Sequence, residues 1–317
     1  MPRVGAVDCG TNTIRLLVAD LDPVTATQHT VAREMRIVRL GEGVDRHGVL
    51  DGEALRRVFG AVDEYAALLD AHDVGPRRFV ATSAVRDAGN AEDLAAGIRS
   101  RLGVDVDVVT GEEEARLSFE GATRSLPDLP GPVAVLDIGG GSTELVLGEA
   151  APTTGTPGRL EAGRSLDVGS VRLTERLMPS DPPTAEETAA AARVVDEALA
   201  TLPAYGVDVR AAASLVGVAG TVTTLAALHL GLQQWDAELV HGARIPVGDA
   251  RALAARLLTL TTAERQALGV PAGRADVIAA GALVLDRVLR LTSVTEVVAS
   301  VSDILDGIAW SLVGTGA

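Results

Sequence analysis

Apolar and polar positions along the chain predict an α/β protein with one conspicuous duplication. The apolar run Val133–Ile138 reads as a buried strand, Gly139-Gly140-Gly141 as a tight turn and Glu144–Leu147 as a returning strand. Glycines at such a turn let the backbone take positive φ and approach a ligand closely. Val4–Val18 aligns with this stretch without a gap at an offset of 129 residues, Asp8 on Asp137, Gly10 on Gly139, Thr13 on Ser142 and Leu16 on Leu145. A strand–loop–strand unit recurring once at that distance predicts two related halves rather than a solenoid. The prolines Pro127, Pro130 and Pro132 mark the junction, giving expected domains at 1–128 and 129–317.

Between these hairpins the period changes to that of helices. Leu55, Val58, Phe59, Val62, Leu68 and Leu69 share one face over 51–71, and Val277, Ile278, Ala280, Leu283, Val284 and Val288 do so over 274–291. Thr27–Leu40 is a further strand region carrying Arg33, Arg36 and Arg39, read as solvated charges or as the lining of a polyanion path. Arg78–Ala81 is a short strand that ends in Thr82–Asn90, with Asn90 placed to cap the next helix. Thr110-Gly111-Glu112-Glu113-Glu114 opens another helix. Its dipole favours acidic residues there, yet successive side chains diverge around the axis, so one glutamate can face inward. Gly169 and Ser170 open a helix either as a plain cap or with free N–H groups suited to an anion, and Val216–Thr221 is a third strand–turn–helix loop. His241 is expected on the surface. The uncharged run 211–235 is long enough to raise a membrane span, but its turn and threonines favour a strand–helix unit.

Composition narrows the chemistry. The 317 residues suffice for two domains, and with 47% hydrophobic but 2% aromatic residues the cores must be aliphatic. All 28 cationic side chains are arginines, which excludes a Schiff-base or P-loop lysine and leaves phosphate contacts to guanidinium forks. A net charge of −15 argues against a nucleic-acid polymer as partner. The single Cys9 permits no internal disulfide, and no signal peptide is predicted before the first strand, both in keeping with a cytoplasmic location. In the second glycine loop the hydroxyls of Ser142 and Thr143 lie within a stretch flanked by the carboxylates Asp137 and Glu144, an arrangement suited to phosphate with a divalent cation, and the first loop carries Thr11 and Thr13 after Asp8.

Asp8–Val18, Ala81–Asn90, Gly111–Leu117 and Asp137–Glu144, followed in order by Ser165–Thr174, Val216–Thr221, His241-Gly242 and Val301–Ile308, resemble the exopolyphosphatase/guanosine pentaphosphate phosphohydrolase family over nearly the whole chain. The match is to its short two-domain form, within the sugar-kinase, heat-shock-protein-70 and actin superfamily. The resemblance implies two ribonuclease-H-like (actin-like ATPase) domains with an active-site cleft between them. It implies an exopolyphosphatase that releases orthophosphate by metal-assisted water attack, with hydrolysis of guanosine pentaphosphate as the alternative. By the family motif Glu114 would activate the water, with Glu113 left open by the triple glutamate, and Arg86 would hold the phosphate. Thr11, Asn12, Thr13, Gly139, Gly140, Gly141, Ser142 and Thr143 would bind phosphoryl oxygens, and Asp137, Glu144 and Asp8 would place Mg2+. Expected partners are inorganic polyphosphate or guanosine pentaphosphate, without nucleic-acid polymer or membrane; a homodimer is compatible with the family. A kinase of the same superfamily and a non-catalytic sensor are the competing readings; the glutamate-bearing helix start favours hydrolysis over the kinase, and the set Glu114, Arg86, Asp137 and Glu144 favours it over the sensor.

Overall fold

In the computed structural model, which describes residues 1–126, 129–151 and 155–313, the duplicated pattern becomes two sheets on one plan. The first contains β1 (Arg3–Cys9), β2 (Thr13–Asp22), β3 (Thr27–Ile37), β4 (Arg77–Ala81) and β5 (Val106–Val108) in spatial order β3-β2-β1-β4-β5. The second contains β6 (Pro132–Ile138), β7 (Thr143–Glu149), β8 (Arg159–Leu166), β9 (Ser214–Val218), β10 (Arg244–Pro246) and β11 (Glu296–Ala299), in order β10-β11-β9-β6-β7-β8. Counted from β8, its first five strands repeat the order of the first sheet. Each sheet has an antiparallel three-strand meander joined by parallel strands on the other side of the central one, and β10 is an added antiparallel edge. These are the two ribonuclease-H-like units expected.

Parallel neighbours require crossover connections. Helices Gly52–Ala71 and Ala91–Leu102 supply them in the first sheet, and the stretches holding Ser170–Leu177, Ala185–Leu199, Ala219–His229 and Ile278–Leu289 supply them in the second. β1 and β2 are covered on both faces, which explains their nearly continuous apolar sequence. Val7, Ile14, Leu16 and Val18 pack with Leu55, Val58, Val62 and Tyr65. Val4, Ala6, Leu17 and Leu21 pack with Ile304, Ile308 and Trp310.

That second layer modifies the simple two-halves picture. One compact unit comprises Met1–Ser125, Pro152–Pro157 and Asp303–Ala317, and the other Leu126–Ala151 and Gly158–Ser302. The closing helix Ile304–Ser311, expected in the second half, therefore belongs to the first unit. Glycines make this packing possible: a Cβ on Gly121 would lie 1.8 Å from the Asp303 carbonyl oxygen, and one on Gly307 would lie 2.1 Å from that of Leu117. The helix Gly111–Arg124 and the closing helix thus meet backbone to backbone. Arg124 adds a guanidinium 4.2 Å from the Trp310 ring.

Pro127 lies outside the described residues. The 211–235 run folds as the strand β9 and the helix Ala219–His229, and among the described residues no helix is long and apolar enough to cross a membrane. Asn90 caps nothing with its side chain. It instead exchanges hydrogen bonds with the backbone of Leu50, accepting from its N–H at 2.7 Å and donating to its carbonyl at 3.1 Å.

Candidate active site

In the first unit the β1–β2 loop is closed by Gly10 N–H donating to Thr13 O at 2.9 Å. Its outer carbonyls are occupied by the chain beyond β3: Gly41 N–H donates to Thr11 O (2.8 Å), and Val38 and Arg39 N–H donate to Asn12 O (3.0 and 2.9 Å). Arg39 adopts φ 47°, a left-handed conformation unusual for a side-chain-bearing residue, to make this contact. The Thr11 hydroxyl lies 3.2 Å from that of Ser83, which opens the short helix after β4.

The second loop is built the same way, with a helix as its support. Gly139 N–H donates to Ser142 O at 3.0 Å. Ser170 N–H then donates to Gly139 O (2.9 Å), Val171 and Arg172 N–H to Gly140 O (2.9 and 3.1 Å), and Arg172 Nε to Gly141 O (2.7 Å). The N–H groups at the start of helix Ser170–Leu177 are thus spent on the loop rather than free for an anion. Their effect is indirect. In a trans peptide the N–H points opposite to the preceding carbonyl, so pinning three carbonyls to the helix turns the N–H groups of Gly140, Gly141 and Ser142 the other way. A row of such donors is an anion-binding nest. None of Gly139, Gly140 or Gly141 takes positive φ, because the helix rather than a left-handed turn shapes the loop. The demand for glycine falls also on Gly169, whose Cβ would come 2.4 Å from Gly140 O. Thr143 is fully buried, and its hydroxyl donates to Val168 O at 2.5 Å.

The carboxylates differ sharply between the two hairpins. Asp8 faces Arg15 across β1–β2, whereas Asp137 faces Glu144 across β6–β7. Arg15 donates to Asp8 Oδ2 from Nε (3.0 Å) and from a terminal nitrogen (2.6 Å), while Asp8 Oδ1 is buried with no hydrogen-bond partner. Burial pushes the Asp8 carboxyl above its usual range, and Arg15 opposes that shift. Asp137 and Glu144 are both buried, and Glu144 accepts from the Ser165 hydroxyl at 2.6 Å. Like charges opposed across strands repel, so this pair suits a divalent cation. Among the described residues no group of three or more His, Cys, Asp or Glu side chains could hold a metal alone. An ion here would complete its shell with water and substrate oxygens, as hard Mg2+ commonly does.

The glutamate triplet is sorted by its helix. Thr110 caps Gly111–Arg124 by accepting from Glu113 N–H at 3.2 Å. Glu112 is exposed, and Glu113 is held by Arg116 at 2.9 and 2.8 Å, which keeps its carboxyl below the usual range. Glu114 alone is buried, at 6% exposure, with its Oε2 3.2 Å from Arg86. Arg86 ends the short helix Ser83–Arg86 after β4 and also donates to Val109 O at 3.0 Å. Arg86 and Glu114, separate in sequence, are thus an ion pair in the first unit.

Other expected features settle differently. Arg33 pairs with the buried Asp306, and Arg36 pairs on the surface with Glu34 and Glu64. His241 is half-buried and structural: its Nδ1 accepts from Val301 N–H at 3.3 Å. At the third loop Ala219 is left-handed at φ 59°, and Arg274, which the sequence did not single out, donates to Gly220 O (3.1 Å) and the Thr224 hydroxyl (3.2 Å).

Comparison with known proteins fits this geometry. The sequence model of the Ppx/GppA phosphatase family matches residues 17–314. Exopolyphosphatase 2 of Mycobacterium tuberculosis is 43% identical over 330 aligned positions, covering 99% of each chain. The crystal structure of an exopolyphosphatase-like protein superposes with a TM-score of 0.90 at 41% identity, covering 97% of this chain and 98% of that one. The Ppx/GppA member of Aquifex aeolicus superposes with a TM-score of 0.80 at 29% identity, covering 98% of this chain and 97% of that one.

Proposed function

The chain belongs to the Ppx/GppA phosphatase family, and on that premise we propose that it is an exopolyphosphatase, hydrolysing the terminal phosphoanhydride of inorganic polyphosphate to orthophosphate. The observation that carries this reading is the buried Glu114 held 3.2 Å from Arg86. A carboxylate so placed has the chemistry to orient a water and accept its proton, while the guanidinium neutralises phosphoryl charge. Phosphoryl transfer needs little from a protein beyond positioning and charge neutralisation.

In this reading Gly140, Gly141 and Ser142 present N–H donors to phosphoryl oxygens, preorganised by helix Ser170–Leu177, and the loop of Thr11, Asn12 and Thr13 adds a second set. Glu114 aligns the attacking water in line with the scissile bond and takes its proton as the P–O bond breaks. Arg86 binds oxygens of the phosphoryl group being transferred. Asp137 and Glu144 would hold a divalent ion, proposed as Mg2+, with Asp8 as a further carboxylate, and that ion would supply charge neutralisation on the anhydride. Asp8 keeps one oxygen for such a contact, since Arg15 occupies only the other.

The test is phosphate release from polyphosphates of graded length and from guanosine pentaphosphate, with Glu114→Gln as control. Release from polyphosphate that falls away in the variant supports the reading. A much higher kcat/KM on guanosine pentaphosphate would instead assign that nucleotide as substrate, and phosphate transfer from ATP to an acceptor would overturn hydrolysis.

A further inference from the structure

Arginine and carboxylate normally pair through two parallel bonds, one to each oxygen. Arg3 reaches both oxygens of Asp20 at 2.8 Å, Arg116 both oxygens of Glu113 at 2.9 and 2.8 Å, and Arg287 both oxygens of Asp196 at 2.6 Å. Arg15 and Asp8 depart from this pattern: both nitrogens converge on Oδ2, and Oδ1 is left buried and unpartnered. The third nitrogen of Arg15 donates to Asp303 Oδ2. Asp303 is itself fixed. It is 4% exposed, its Oδ1 caps the closing helix by accepting from Leu305 N–H at 3.0 Å, and its own N–H donates to Asp306 Oδ2 at 2.9 Å.

We propose that Asp303 is a positioning residue for phosphoanhydride hydrolysis: by drawing Arg15 off centre, it stops the guanidinium from closing on both oxygens of Asp8 and so keeps Asp8 Oδ1 available to the site. This rests on the reading above that Asp8 takes part in the reaction. Loss of the Asp303 carboxylate would let Arg15 slide into the ordinary fork, consuming Oδ1 while leaving every residue of the site in place. Partners that orient ligating groups at one remove commonly matter 10- to 100-fold, as an order of magnitude.

The test uses the full chain. Asp303→Ser retains a helix cap but cannot hold Arg15, and it is compared with Asp306→Asn, which disturbs the same helix start through Arg33 and Gln28 without touching Arg15. The expected result is a fall in kcat of roughly 10- to 100-fold for Asp303→Ser with KM little changed, and kcat within about twofold of the parent for Asp306→Asn at comparable loss of Tm. In an Asp8→Asn background, Asp303→Ser should cost nothing further, since no second carboxylate oxygen remains to protect. A crystal structure of the variant should show Arg15 bonded to both oxygens of Asp8. If Asp303→Ser is poorly folded, Asp303→Asn, which keeps the cap and a neutral acceptor, should show a smaller fall of the same kind. Full activity of Asp8→Asn would remove the underlying reading. An inactive Asp8→Asn beside a fully active Asp303→Ser, strictly additive losses, or an Arg15 that stays on Oδ2 in the variant would overturn the role of Asp303.

Discussion

Arg15 and Glu144 occupy the same position in two copies of one hairpin, each directly across from the aspartate that ends the first strand, and they bear opposite charges. The first hairpin therefore neutralises its aspartate from within. The second opposes two buried carboxylates, a pair proposed above to need a cation.

Glu144→Gln separates that need from folding. Without divalent ions the variant should unfold at the same Tm as the parent or above it, because cross-strand repulsion is relieved. Saturating Mg2+ should raise the Tm of the parent, since an ion at 100 times its Kd stabilises by about 2.7 kcal/mol. The variant should lose most of that gain. Thermal melts with and without the ion decide the matter, independently of activity.

Glu114→Gln should lower kcat by roughly 10²–10⁴-fold, the usual weight of a group that handles the proton of the nucleophile. Glu113→Gln, one residue away but turned toward Arg116, should stay within a few-fold of the parent. Steady-state phosphate release measures both, and equal effects would return the water-activating role to an open choice.

Gly169→Ala should act on the glycine loop without touching substrate. Its methyl would meet Gly140 O at 2.4 Å, so the loop carbonyls must shift and the opposing N–H row with them. Overpacking of this kind costs about 1–3 kcal/mol. Turnover should fall more than the melting shift alone explains, as kcat and calorimetry together would show.

Acid sensitivity should involve Glu113. Hydrogen bonds from Arg116 hold its folded carboxyl below the ordinary 4.5. A depressed carboxylate contributes stability that is present above its unfolded pKa and is lost as pH falls through the lower, folded value. Below pH 4.5, stability of the parent should therefore decline with a steeper slope than that of Glu113→Gln. Denaturant titrations at a series of acid pH values measure that slope.

Periodicity and duplication are local signals, and they carried most of the fold. The offset that aligns Asp8 with Asp137 also aligns the loops, and the paired registers Asp8↔Arg15 and Asp137↔Glu144 follow from it. The motif leaves two candidates for the inward glutamate, and only the helix phase and Arg86 separate Glu114 from Glu113. What the sequence hid are relations across long separations. Nothing near Ser170 reveals that its N–H groups serve Gly139 and Gly140, because a helix start that binds an anion and one that binds carbonyls share the same residues. Asp303 likewise reads as an ordinary cap, since its bond to Arg15 spans most of the chain.

The return of Ile304–Ser311 to the first sheet means that sequence order and physical partition disagree. A fragment stopping near residue 128 would leave Val4, Ala6, Leu17 and Leu21 without their cover and strip Arg15 of one of its two anions. Dissecting this enzyme therefore calls for a grafted or permuted chain, with the terminal segment spliced beside the opening strands, rather than a simple scission at the midpoint.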